Sequence, residues 1–174
     1  AVVIDPVLDY DPKASKTWTE SVDEVIAFIR ENKLNPRYVL ETHAHADHLS
    51  GSQMIRAAFP EAQLAVGERI TEVQSAFKNV FHLPEDFPTD GRQFDALLKD
   101  GQVVDAGSIQ FKTIATPGHT PACVTFQFGE SIFTGDALFM PDSGTGRCDF
   151  PGGSAEDLYH SIHEVLYKLP DDTV

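Results

Sequence analysis

RYVLETHAHADHLSG, residues 37–51, decides how this chain is read. RYVLET, 37–42, has the apolar and β-prone centre of a strand. It delivers HAHADH, which packs three histidines and one aspartate into six positions, 43–48. Imidazole and carboxylate groups are costly to bury without partners, so such a knot is either a solvated turn or a metal site. If the chain runs on extended, alternate side chains face one way, and His43, His45 and Asp47 share a side. His48 points elsewhere and opens the next helix. Loops at the carboxyl ends of strands are where α/β sheets place their sites.

Outward from that strand, helical and extended patterns alternate. AVVID at 1–5 opens as a strand, and DPVLDYDPKASKTW, 5–18, reads as a Pro- and Asp-rich loop. Ser21 three residues before Glu24 has the form of a capping box, and Val22, Val25, Ile26 and Ile29 recur at helical spacing until Asn35-Pro36. SGSQMIRAAF predicts a helix, QLAV a strand and ERITEVQSAF another helix, while residues 79–101 predict an irregular surface excursion. The second half changes texture. VVDAG, SIQFKTIAT, CVTFQFG and SIFTGDAL are successive strands, and SAEDLYHSIHEVLYKL is a closing helix whose buried stripe is Leu158, Ile162, Val165, Leu166 and Leu169. The pattern predicts an α/β domain, sheets with helices packed outside.

Composition narrows the function. The 174 residues, 41% hydrophobic, suit one domain spanning 1–174. Because Ala1 already opens a strand and Val174 closely follows a helix, the native ends are expected to lie outside these residues. A net charge of −14, from 27 acidic and 13 basic residues, argues against nucleic acid or an anionic membrane as partner. The same field helps retain a divalent cation. Two cysteines, Cys123 and Cys148, are too few for a disulfide framework and fit a reducing compartment such as the cytoplasm. Oligomeric state is not legible, which leaves a homo-oligomer open.

Two more stretches favour the metal over the solvated turn. TPGHT, 116–120, puts His119 behind Gly118 in a turn between strands, and FTGDAL, 133–138, puts Asp136 behind Gly135 at another strand end. Each alone is weak, since His and Asp are ordinary turn residues. Three strand ends that each offer a metal-type ligand make the cluster a metal site, and its donors suit zinc, iron or manganese.

HAHADH, TPGHT and TGDAL in this order resemble the metallo-β-lactamase superfamily over nearly the whole chain. The resemblance implies an αβ/βα sandwich, two mixed sheets flanked by helices, with the metal in a cleft between sheet edges. In dinuclear members, the positions matching His43, His45 and His119 hold one metal, those matching Asp47 and His48 hold the other, and that of Asp136 bridges them. A further histidine normally follows the last helix, beyond this sequence. Glyoxalase II, the hydroxyacylglutathione hydrolase, is similar in THAHADHLSG, TPGHT and FTGDALF. Persulfide dioxygenases share these and also resemble TPGHTPACVTF and GTGRCDF. That subgroup implies a single Fe(II) on His43, His119 and Asp136, with His45, Asp47 and His48 standing behind them or serving a second metal. The implied reaction oxidises a small persulfide, of the glutathione persulfide type, with O₂ to sulfite. Zinc or a dinuclear site in a thioester hydrolase is the alternative, and a non-catalytic metal-binding module the third.

Arg147 in GTGRCDF is the candidate for a substrate carboxylate, since a guanidinium grips carboxylates bidentately. An ion pair with Asp149 or Asp142 that shapes the loop is the competing role. Cys148 is either a redox-sensitive thiol or merely packed, and Cys123, at the start of an apolar strand, belongs to the core. His82, His160 and His163 read as surface or partly buried, and Trp18 with the twelve phenylalanines as core or cleft lining.

Overall fold

Hydrogen-bonded strands divide between two stacked sheets and a small flap in the computed structural model, which describes residues 1–174. The first sheet is parallel throughout, in the order β1 (Val2–Ile4), β4 (Tyr38–Glu41), β6 (Gln63–Gly67), β7 (Ala96–Leu98). The second is antiparallel throughout, in the order β11 (Ser131–Phe133), β10 (Val124–Phe128), β9 (Gln110–Ala115), β8 (Val103–Asp105). The expected mixture of strand directions is thus partitioned between the sheets. Their facing sides share one core, Leu40, Ala65 and Leu98 against Val104, Phe111, Val124 and Phe126.

Alternation along β4 explains the layering. Leu40 enters the inter-sheet core, while Val39 faces outward against Val22 and Ile26 of α1 (Glu20–Glu31) and Ile55 of α2 (Ser52–Ala58). Helix α3 (Ile70–Val80) packs Ile70 and Val73 on Val66 and Ala122. The last helix, α4 (Ala155–His160), runs on through a π turn to Lys168 and sets Leu158, Ile162 and Leu166 against Ala137 on the other side. This is the expected α/β sandwich. No helix is long and apolar enough to cross a membrane.

Three expectations need correction. Residues 5–18 are not simply a loop: β2 (Val7–Asp11) and β3 (Lys16–Trp18) form a hairpin, and β2 also pairs with β5 (Leu49–Ser50). Its strands are largely exposed, Trp18 included, so they carry no buried alternation to read. The excursion 79–101 contains β7, whose three residues find their only pairing on β6. The capping box at Ser21 does not form. Helix α1 starts after Thr19, whose hydroxyl donates to Asp23 at 2.7 Å, and the Ser21 amide and hydroxyl both donate to the Asp9 carboxylate at 2.9 and 2.6 Å. A carboxylate from the hairpin takes the amide. Helix α4 is capped by its own serine, the Ser154 hydroxyl accepting the Asp157 N–H at 3.1 Å.

Candidate metal centre

Strand ends build the site. The carboxyl end of β4 carries His43, and the Val124 N–H at the start of β10 donates to the Thr42 carbonyl at 3.0 Å, tying the two sheets together there. That bond brings the 116–120 loop beside His43. Helix α4 clamps the same loop: the Ser154 N–H donates to the Gly118 carbonyl and the Ser161 hydroxyl to the Pro117 carbonyl, both at 2.8 Å. Gly118 has φ 143°, and a Cβ there would collide with the Leu158 backbone. Glycine is what lets the helix lie on the loop. Asp136 arrives on a single 3-10 turn after β11, behind Gly135 at φ 50°.

His43, His119 and Asp136 converge, one ligand atom from each lying within 4.8 Å of the others. Asp136 Oδ2 stands 3.4 Å from His119 Nε2 and 3.8 Å from His43 Nε2. Hydrogen bonds fix both tautomers. The Thr42 hydroxyl donates to Asp5 Oδ2 at 2.7 Å, so at its 2.9 Å contact with His43 Nδ1 it accepts. His43 therefore carries its proton on Nδ1. His119 Nδ1 likewise donates to the Arg147 carbonyl at 2.7 Å. Both Nε2 lone pairs are left for the space between the three groups. Burial, with repulsion from His45 and His119, pulls His43 down to about 3, which keeps it neutral. Its Nε2 is buried without any hydrogen-bond partner. A buried acceptor left unpaired is destabilising by about 1–3 kcal/mol; a cation at this point would satisfy it, so the residues fit a metal.

His45 belongs to a different set. Its Nε2 lies 3.1 Å from both Asp5 Oδ1 and Glu41 Oε2. Burial alone would lower this histidine, but the two carboxylates outweigh it and raise it to about 10. Glu41 also accepts from the hydroxyls of Ser50 and Ser52. Asp47 and His48 form a second three-membered group with His45, again within 4.8 Å, with His48 Nδ1 3.3 Å from Asp47 and its Nε2 buried and unpartnered. The strand-alternation picture, in which His43, His45 and Asp47 share a side, does not describe this loop, because β4 ends at Glu41 and the following residues turn. Asp5, Glu41 and Thr42 were not singled out from the sequence. Asp5 carried a signal all the same: like Asp136, it is an aspartate closing a β run.

Two cavities meet at the centre and share Ala46, His119 and Phe150 as walls. The smaller, about 310 Å³, is bordered by Asp47, Asp136 and Arg147. The larger, about 580 Å³, runs under α3 and is mostly aromatic and aliphatic. Arg147 has its guanidinium on Asp149, at 2.5 and 2.6 Å, and over the Phe150 ring at 4.9 Å, so the loop-shaping ion pair is the arrangement present. Burial and Asp149 raise the Cys148 thiol, which packs against the α4 core. Burial pushes Cys123 up to about 11, as fits a core residue. His82, His160 and His163 are exposed and apart from the centre.

Known proteins share this build. The chain is 48% identical over 170 residues to glyoxylase B2 of Dictyostelium discoideum, covering 97% of this chain and 58% of that protein. It is 36% identical over 174 residues to the mitochondrial persulfide dioxygenase ETHE1 of Homo sapiens, covering 99% of this chain and 56% of that one. The chain thus spans little more than half the length of these curated relatives. The crystal structure of ETHE1 from Myxococcus xanthus superposes with a TM-score of 0.73 at 31% identity, over 99% of this chain and 61% of that one. The sequence profile of the metallo-β-lactamase superfamily matches residues 1–174. With that profile matched over its whole length, the chain belongs to the metallo-β-lactamase superfamily.

Proposed function

We propose that this domain oxidises a low-molecular-weight persulfide with O₂ at a single iron(II) held by His43, His119 and Asp136. The observation that carries this reading is the make-up of the trio: two buried imidazoles and one half-buried carboxylate, with His45 drawn away to Asp5 and Glu41. Two histidines and a carboxylate on one face suit iron(II). When bound, iron(II) supplies a redox-active centre with coordination positions open to small ligands. The reaction balances as RSSH + O₂ + H₂O giving RSH, sulfite and two protons. Four electrons pass from the outer sulfur to oxygen, and the S–S bond breaks.

The chain's own groups prepare this. Asp5, through Thr42, and the Arg147 carbonyl keep the ligand nitrogens of His43 and His119 free of protons. Ala46 and Phe150, the latter set edge-on to His119 at 5.2 Å, stand between the two cavities beside the trio. Similarity to proteins named persulfide dioxygenase and ETHE1 supports the reading.

A second reading, hydrolysis of a glutathione thioester at a dinuclear zinc or mixed-metal site, is favoured by the His45–Asp47–His48 group and its unpartnered Nε2. Similarity to a protein named glyoxylase B2 points the same way. Protein loaded anaerobically with iron(II) should consume O₂ and form sulfite in equal amounts when given a persulfide. Cleavage of S-lactoylglutathione without O₂ uptake would replace the first reading with the second. Metal retention with neither activity would leave a binding module.

A further inference from the structure

The larger cavity is a built feature. Helix α3 turns Ile70, Val73 and Phe77 into it, and the loop that follows folds back to add Leu83, Phe87 and Phe94. Lys78 holds that loop by donating to the carbonyls of Glu85 and Phe87 at 2.5 and 2.9 Å. Gln74 donates to Gln93 Oε1 at 2.9 Å and accepts the Gly91 N–H at 3.0 Å, while Gln93 donates to the Pro88 carbonyl at 2.9 Å. These bonds brace the wall and also use up its polar groups. Thr120 is engaged with the Cys123 sulfur at 3.2 Å, and His45 with its carboxylates. What remains is His119, a wall that this cavity shares with the smaller one bordered by Asp136.

No lysine or arginine lines this space. A tripeptide thiol such as glutathione brings two carboxylates and an ammonium, and none would find a partner here. The net charge of −14 adds to the mismatch for an anion. The volume of about 580 Å³ lies in the range of small-molecule sites. We infer that this cavity takes the apolar body, alkyl or aryl, of the thiol-derived substrate, with its sulfur end at His119 and Asp136. The inference rests on the function proposed above for its link to sulfur chemistry, and on the cavity alone for the ligand class.

The test separates the two. The neutral fluorophore N-phenyl-1-naphthylamine is titrated into the protein as purified and then displaced with octanethiol or with glutathione. Octanethiol should displace it at least tenfold more effectively. Leu83→Glu and Phe87→Glu, both on the half-buried loop, should weaken fluorophore binding at least tenfold, and Leu83→Met should preserve it. Equal displacement by the two thiols, or native-like binding in both charged variants, overturns the inference. If persulfides fail to drive O₂ uptake while octanethiol still displaces the fluorophore selectively, the reaction assignment falls and the apolar ligand class stands.

Discussion

The trio His43, His119 and Asp136 and the neighbouring group His45, Asp47 and His48 use the same side-chain types, yet they are built differently. The trio draws on three strand ends, and its two histidines are 2% and 4% exposed. The second group comes from one loop, and its Asp47 side chain is 75% exposed. In the trio both imidazoles have their tautomers set by a backbone or hydroxyl partner. In the second group one imidazole is already committed to two carboxylates. Density of ligands along the sequence is therefore a poor guide to which of them act together. Convergence between sheets, with tautomers set from behind, is the better one.

The largest expected effect comes from breaking the trio. His119→Ala should reduce bound metal from one ion per chain to near none by elemental analysis, whereas His48→Ala should retain it. Equal loss in both variants would merge the groups into one dinuclear site. Next is Asp5→Asn, which removes the charge that accepts from Thr42 and faces His45. His45 keeps Glu41 at 3.1 Å, so the loss is that of charge-assisted hydrogen bonds, about 1.5–3 kcal/mol, which urea unfolding would read. Burial alone would raise Asp5, but its donors hold it below the usual carboxylate range. Its stabilisation is therefore present above pH about 4 and is lost as the pH falls through the lowered value. The asparagine variant should lack that acid loss. The smallest effect is expected at Arg147→Ala, because the backbone carbonyl, not the guanidinium, holds His119. Metal content should not change, and with the guanidinium on Asp149, neither should the KM of a carboxylate-bearing thiol substrate. A several-fold rise in KM would restore the carboxylate clamp.

Much of this was legible because the ligands announce themselves at strand ends. His43, His119 and Asp136 each follow a β run, the last two directly behind glycines whose positive φ the loops require. The layered α/β order also follows from periodicity. What stayed hidden depends on partners that only tertiary folding supplies. Ser21 looks like a cap until Asp9 arrives from the hairpin, and β7 is a strand only because β6 lies beside it. The split between His43 and His45, two residues apart, depends on Asp5 reaching across from β1. The cavity under α3 required the 82–94 loop to fold back, and nothing in its local composition dictates that.

X-ray absorption at the iron edge of the iron(II)-loaded protein tests the central claim most directly. One iron per chain, with two imidazoles in its shell and no metal neighbour, is the predicted result. A second metal at about 3.5–4 Å, or an unchanged imidazole shell after His119→Ala, would contradict it.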